Sequence, residues 1–357
     1  MAELADAADS KSAGLRPVGV RPPLPAPNIW FWNISAFLLV AYMAKVGNVL
    51  IREQTRAGAA YEIAHDDMKP LWTGAGVALL SALLISSNAL AQADKAASSV
   101  PAWKREGQVV WTQAPDGRVK SRVYSSGHLT DHPVLVVWLH GDLGPGSELY
   151  EMALQLANSS ENVVAAGLLR PGYTDAEGDT SAGRKGRAIG DNYTADVVDD
   201  VNAVINDLKN RFHPRAVVVM GHSGGGGVAA NLLGRYPKDA NAAVLISCSC
   251  DPKEFMTRFV REHPNIPKGL PNPSLSPIDT VSRVSRKTLV RMVVGTQDTV
   301  VLVQPSEVYA AGLKRNGVDV RLVLVPGADH VNVLGSDAVH QAVAEVIAAE
   351  GGTVKNK

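Results

Sequence analysis

The chain has 357 residues, 46% of them hydrophobic, enough apolar material for one large core or two modest ones. Lysine plus arginine and aspartate plus glutamate number 35 each, so charge offers no argument for nucleic acid or for an acidic partner. Cys248 and Cys250, two positions apart, bridge poorly and match no C-x-x-C metal spacing; the sequence predicts buried thiols, no disulfide framework and no metal site.

The N-terminal region is unlike the rest. Residues 1–28 are rich in Ala, Pro and charge and read as disordered. Residues 29–51 are apolar but interrupted by Asn33, Lys45 and Asn48, a weak match to the ~20 apolar residues of a spanning helix. Residues 68–93 run from Lys69 through an apolar block to Ala91-Gln92-Ala93, the layout of a secretory signal peptide. Asp66 and Asp67 stand where such a signal should be positive, and they vanish if translation starts at Met68. The expectation is an extension over 1–67, a signal peptide over 68–93 and one domain over 94–357, periplasmic or secreted. The alternative is two weak membrane helices anchoring an enzyme, with membrane contact only if those apolar segments are retained.

From residue 94 onward strands and helices alternate. "GQVVWTQA" and "RVKSRVYSS" read as an initial strand pair, and "PVLVVWLHG" as a continuous apolar strand covered on both faces. "SELYEMALQLA" has helical spacing, "NVVAAGLLRPGY" is a strand, and "TADVVDDVNAVINDLKNRF" is an amphipathic helix. Strand "AVVVMG", helix "GVAANLLGRYP" and strand "NAAVLISCS" follow. An irregular segment over 251–286 holds six prolines. The alternation then resumes with "LVRMVVGTQD", helix "PSEVYAAGLKRNG", strand "VDVRLVLVPGADH" and helix "SDAVHQAVAEVIAAE". This order implies an α/β domain, a mostly parallel central sheet flanked by helices, with a short excursion between strands six and seven.

The stretch "VVVMGHSGGGGVAANLLGRYP" places Ser223 on a turn between strand and helix. Gly221, Gly224 and Gly225 permit a tight backbone there, and the hydroxyl projects at the carboxyl ends of the strands, where open parallel sheets put their ligands. The helix that follows aims backbone N–H groups and partial positive charge at the same point. "GHSGG" fits the nucleophile elbow G-x-S-x-G. It lacks the Lys-Ser/Thr of a P-loop and the spacing of a dinucleotide fingerprint, so no cofactor is expected. A serine nucleophile needs a histidine base held by a carboxylate. In the chain order nucleophile, acid, histidine, Asp298 after one strand and His330 after the last are the residues that fit.

With these pieces the sequence resembles the α/β-hydrolase superfamily over about 109–350. The tail "SPIDTV…LVRMVVGTQDTVV…YAAGLKRNGVDVRLVLVPGADH" is similar to the prolyl oligopeptidase and dienelactone hydrolase branches, which place a Gly-x-x-Asp acid loop and a Gly-x-x-His base loop in this way. The resemblance implies a triad of Ser223, Asp298 and His330. It also implies an oxyanion hole from the N–H of Gly224 and one from the loop after "VVWLHG". His140-Gly141 matches the His-Gly of relatives. Asp142, the expected second donor, stands where many of them have glycine or an apolar residue, and its carboxylate must point away from an oxyanion.

Other residues near the rim have plainer readings. His222 is expected to pack beneath the elbow. Asp329 and Asp251 are alternative acids, less well placed than Asp298. Tyr173 and His140 are candidates for substrate binding, although Tyr173 equally well ends its loop and His140 equally well supports structure. The polar loop after Tyr173, with Arg184, Lys185 and Arg187, reads as solvated, or as a cover that greets an anionic group. The function expected is a serine hydrolase acting on a small ester, amide or peptide, its activity rising through roughly pH 6–7 as an imidazole base requires. The alternatives are a serine peptidase of prolyl oligopeptidase type and a catalytically silent hydrolase scaffold used for binding.

Overall fold

A computed structural model describes residues 107–146, 148–186, 189–262 and 272–355. The extension expected over 1–67, the signal peptide expected over 68–93 and Arg187 lie outside the described residues.

The first two strands, β1 (Gln108–Ala114) and β2 (Gly117–Ser125), form an antiparallel hairpin closed by Ala114 opposite Gly117. β3 (Val134–Leu139) is buried at every position, which is why its sequence is an unbroken apolar run instead of an alternation. After it come α1 (Glu148–Asn158), a two-residue strand β4 (Ser160–Glu161) and β5 (Val163–Leu168). α2 (Ala195–Phe212) leads to β6 (Ala216–His222), α3 (Gly224–Arg235) and β7 (Ala242–Ile246). The proline-rich excursion contains α4 (Pro252–Glu262) and the short α5 (Pro277–Thr280). β8 (Leu289–Gly295), α6 (Val303–Arg315), β9 (Asp319–Val325), α7 (Asp337–Ala349) and β10 (Thr353–Val354) complete the chain.

Eight strands make one sheet in the order β1-β2-β5-β3-β6-β7-β8-β9. Only β1 and β2 run antiparallel to their neighbours; from β5 to β9 every pairing is parallel. Alternate residues of β3 serve opposite faces. Leu135, Val137 and Leu139 join the core under α2, α3 and α6, while Val134, Val136 and Trp138 join the core under α1 and α7. Two layers of helices thus cover the sheet, and all the central strands end at one rim. The excursion falls between β7 and β8, the sixth and seventh strands of this sheet. Among the described residues no helix is long and apolar enough to cross a membrane.

Two expectations change. Cys248 and Cys250, just after β7, are joined in a disulfide and are not free thiols. A Cα–Cα distance of 5.2 Å lies within the span a disulfide needs, so the bend after β7 overcomes the poor reach expected of so short a loop. The polar loop after Tyr173 is not simply solvated. It doubles back on itself: the Gly172 N–H donates to Ser181 O at 3.0 Å and the Ser181 N–H donates to Tyr173 O at 3.1 Å. Asp175, Glu177 and Asp179 then converge on the ammonium of Lys120 from β2 at 2.6–2.7 Å. The three carboxylates are spaced as for a cation, and the lysine supplies it. The loop is thereby locked to the sheet.

Candidate active site

β6 delivers Ser223 to the rim, and α3 begins at the next residue. Ser223 has φ 54° and ψ −120°, a left-handed conformation that side chains other than glycine rarely adopt. Its own N–H donates to Ile246 O at 2.9 Å, and its carbonyl accepts from Gly227 at 3.1 Å and Ser249 at 3.2 Å. The glycines explain how so sharp a turn fits. A methyl group on Gly221 would run into the carbonyl of Gly225, and one on Gly225 into the carbonyls of Leu139 and His140.

Two loops from far along the chain meet this hydroxyl. His330, in the turn after β9, places Nε2 2.9 Å from Ser223 Oγ. Its Nδ1 is 2.8 Å from Oδ2 of Asp298, in the turn after β8. With Nδ1–H donating to the carboxylate, Nε2 is left to accept the serine proton. The other oxygen of Asp298 accepts from the N–H groups of Val300 at 2.9 Å and Val301 at 2.8 Å. Burial raises the Asp298 carboxyl, but the bonds from His330 and Val301 outweigh it and hold the group below its ordinary value. The carboxylate is therefore charged where it faces the imidazole.

His222 packs beneath the elbow, its ring 4.7 Å from that of His330, and its Nε2–H donates to the His330 carbonyl at 2.8 Å. Burial, and then the neighbouring His330, push its pKa down to about 3, so it stays neutral and braces the base loop. Asp329 is consumed by its own turn, accepting from the N–H groups of Val331 and Asn332 at 2.9 and 2.7 Å. Asp251 caps the start of α4 through the N–H groups of Lys253 and Glu254. Neither alternative acid reaches His330.

The loop after β3 lies directly against the elbow. A methyl on Gly141 would stand 3.3 Å from the Cβ of Ser223, and one on Gly224 would run into the carboxylate of Asp142. Among the described residues none accepts a hydrogen bond from the backbone N–H of Gly224 or of Asp142. Both donors thus stand beside Ser223 unspent. The Asp142 carboxylate is held by Arg170 Nη1 and the Gly190 N–H, each at 2.8 Å, and by the Tyr193 hydroxyl at 2.6 Å.

His140 and Tyr173 brace this loop instead of lining an opening. Both are 3% exposed and their rings meet edge to face at 4.8 Å. His140 Nδ1 donates to Gly141 O at 2.8 Å and Nε2 accepts from the Arg170 N–H at 3.1 Å, so both ring nitrogens are occupied inside the protein. Burial and the positive charge of Arg170 keep this imidazole well below its ordinary pKa. Arg184 and Lys185 are exposed, the latter with its ammonium 5.1 Å from the Tyr173 ring.

Sequence reasoning passed over Arg170 and Tyr193. Both are buried, and nothing in the pattern "GLLRPGY" marks the arginine as internal, since charged residues are ordinarily outside. It also missed the tie between the excursion and the acid loop, where Arg258 of α4 donates to Val300 O at 2.6 Å and Thr299 O at 3.4 Å. Leu143, on the loop after β3, and Val300 and Leu302, on the loop after β8, are exposed apolar side chains.

A model of the prolyl oligopeptidase family matches residues 173–348, a span that includes Ser223, Asp298 and His330. No curated protein matches. Among solved structures, a puromycin-hydrolyzing peptidase of Mycobacterium tuberculosis is 17% identical with a TM-score of 0.54, covering 71% of this chain and 40% of its own. An acylaminoacyl peptidase is 14% identical with a TM-score of 0.51, covering 71% of this chain and 42% of its own. An esterase of Pyrococcus furiosus is 18% identical with a TM-score of 0.50, covering 69% of this chain and 92% of its own. The chain therefore spans about two fifths of the two peptidases and nearly all of the esterase. At these identities the likeness carries the fold: a mostly parallel sheet flanked by helices, shared by esterases and peptidases.

Proposed function

We propose that this chain is a serine hydrolase related to the prolyl oligopeptidases, which cleaves a small carboxylic ester through a Ser223-His330-Asp298 triad and an acyl-enzyme. The observation that carries this reading is the run of two hydrogen bonds, Asp298 Oδ2 to His330 Nδ1 at 2.8 Å and His330 Nε2 to Ser223 Oγ at 2.9 Å.

His330 takes the Ser223 proton as Oγ attacks the carbonyl carbon. The carbonyl π electrons move onto oxygen, which the N–H groups of Gly224 and Asp142 receive. Asp298 stabilises the imidazolium and fixes its tautomer. His330 then returns the proton to the leaving alcohol as the C–O bond breaks, leaving the acyl group on Ser223. Water, deprotonated by the same imidazole, repeats the sequence and releases the acid.

Esters are favoured over peptides by similarity to an esterase along nearly its whole length, where the two peptidases are matched over only about two fifths of theirs. The peptidase reading is the second one, because the family model that matches is that of the prolyl oligopeptidases. A series of p-nitrophenyl esters graded by acyl length, run beside aminoacyl p-nitroanilides, separates the two. The ester reading expects the highest kcat/KM on a short-chain ester, lost in Ser223→Ala. Preference for an aminoacyl amide favours the peptidase, and no turnover of either favours a scaffold used only for binding.

A further inference from the structure

We propose that Arg170 is the positioning residue of the oxyanion hole: through the carbonyl of His140 and the carboxylate of Asp142 it fixes the turn whose N–H receives the developing negative charge. This rests on the serine-hydrolase reading above and adds a residue outside the triad and outside the matched family span of 173–348.

Arg170 is fully buried directly after β5, beside the loop that follows β3. Nη1 donates to His140 O at 3.1 Å and to Asp142 Oδ1 at 2.8 Å, so one nitrogen holds both ends of the His140–Asp142 turn. Its backbone N–H donates to His140 Nε2 at 3.1 Å, and Nη2 reaches Asn192 O at 3.4 Å. The guanidinium lies 5.1 Å from the Tyr173 ring and 5.8 Å from the Tyr193 ring, and the Tyr173 hydroxyl donates to Asp142 O at 3.4 Å. Tyr193 also donates to the other carboxylate oxygen of Asp142. The turn is therefore gripped by charge at Arg170 and by a second anchor at Tyr193.

Two consequences follow for the chemistry. The Asp142 carboxylate packs against Gly224, beside the point where an oxyanion forms, and alone it would oppose that charge. Paired with Arg170 at 2.8 Å it presents an ion pair instead of a bare anion. And a turn held at both ends is organised before the substrate arrives, so its N–H groups stabilise the tetrahedral oxygen more than the flat ground-state carbonyl. Losing that organisation lowers kcat and leaves KM in place.

The test uses Arg170→Met and Tyr193→Phe in the whole protein. Each is assayed for kcat and KM on the best p-nitrophenyl ester and for inhibition by a trifluoromethyl ketone, whose hemiketal oxygen occupies the hole, with thermal melting to verify folding. The expected result is a kcat about tenfold or more lower in Arg170→Met and a few-fold lower in Tyr193→Phe, against the ~10²–10³ for deleting an oxyanion donor outright. KM stays within about twofold, and the ketone Ki rises by the same factor as kcat falls. If Arg170→Met does not fold, Tyr193→Phe decides alone. A folded variant with wild-type kcat and ketone affinity, or with raised KM and intact kcat, overturns the positioning role. Retained turnover in Ser223→Ala removes the serine-hydrolase reading itself, and the role of Arg170 falls with it.

Discussion

Ser223 shows what one residue bears for the sake of the site. At φ 54° and ψ −120° its Cβ crowds its own backbone, and such conformations cost on the order of 1–3 kcal/mol. Glycine relieves that strain and alanine does not. We therefore expect Ser223→Gly to be more stable than Ser223→Ala by about 1 kcal/mol, a difference of roughly 2–4 °C in Tm for a domain of this size. Both variants should be inactive, so melting curves isolate the backbone term; equal or reversed Tm values would contradict the strained elbow. Much of this scale was legible in the sequence, because "GHSGG" and the strand-end positions of Asp298 and His330 follow from a chemistry that needs those groups in that order. Arg170 and Tyr193 were not legible. Their importance comes from what Asp142 does with its carboxylate, and no local pattern encodes a partner 28 or 51 positions away.

Among the elements, the loop after β5 owes its shape to charge. Lys120 is buried in β2, and Asp175, Glu177 and Asp179 close on it; Glu177 also holds Arg122 at 2.7 Å. Burial opposes the charge on Glu177, but its bonds to Lys120 and Arg122 pull its pKa down to about 2. A depressed carboxylate contributes stability that is complete above its unfolded pKa and lost as pH falls through its folded one. For Glu177 that window runs from 4.5 down to about 2. Lys120→Met leaves carboxylates facing one another without their cation, and removing one partner of a buried pair costs about 3–5 kcal/mol. Urea unfolding at neutral pH should show a loss of that order. The gap between wild type and variant should narrow as pH falls through the window, since protonated carboxyls no longer repel. A gap that widens with acid would contradict this account of the loop. The sequence showed only a polar, glycine-rich stretch, because a buried lysine in a strand looks like any outward-facing one. The helices and strands themselves were read well, since hydrophobic period and continuous burial leave direct marks, as in β3. The disulfide after β7 went unforeseen because it depends on a backbone bend that spacing does not report.

At the scale of the whole molecule, the sheet is a device for bringing distant turns to one rim. β6, β7, β8 and β9 lie side by side and parallel, so the turns after β6, β8 and β9 emerge together although His330 is 107 positions from Ser223. Two cores, one on each face of the sheet, hold those strands in register, and the excursion is tied to the acid loop through Arg258. The order of strands and helices was enough to expect this convergence, whereas the packing of the excursion and of the oxyanion loop was left to side-chain contacts across the chain. The most direct test of the convergence is intact-protein mass spectrometry after exposure to a fluorophosphonate probe. The account predicts a single adduct on Ser223 in the wild type, none in Ser223→Ala and sharply slowed labelling in His330→Ala. Labelling that persists in Ser223→Ala, or a wild type that stays unmodified, would contradict it.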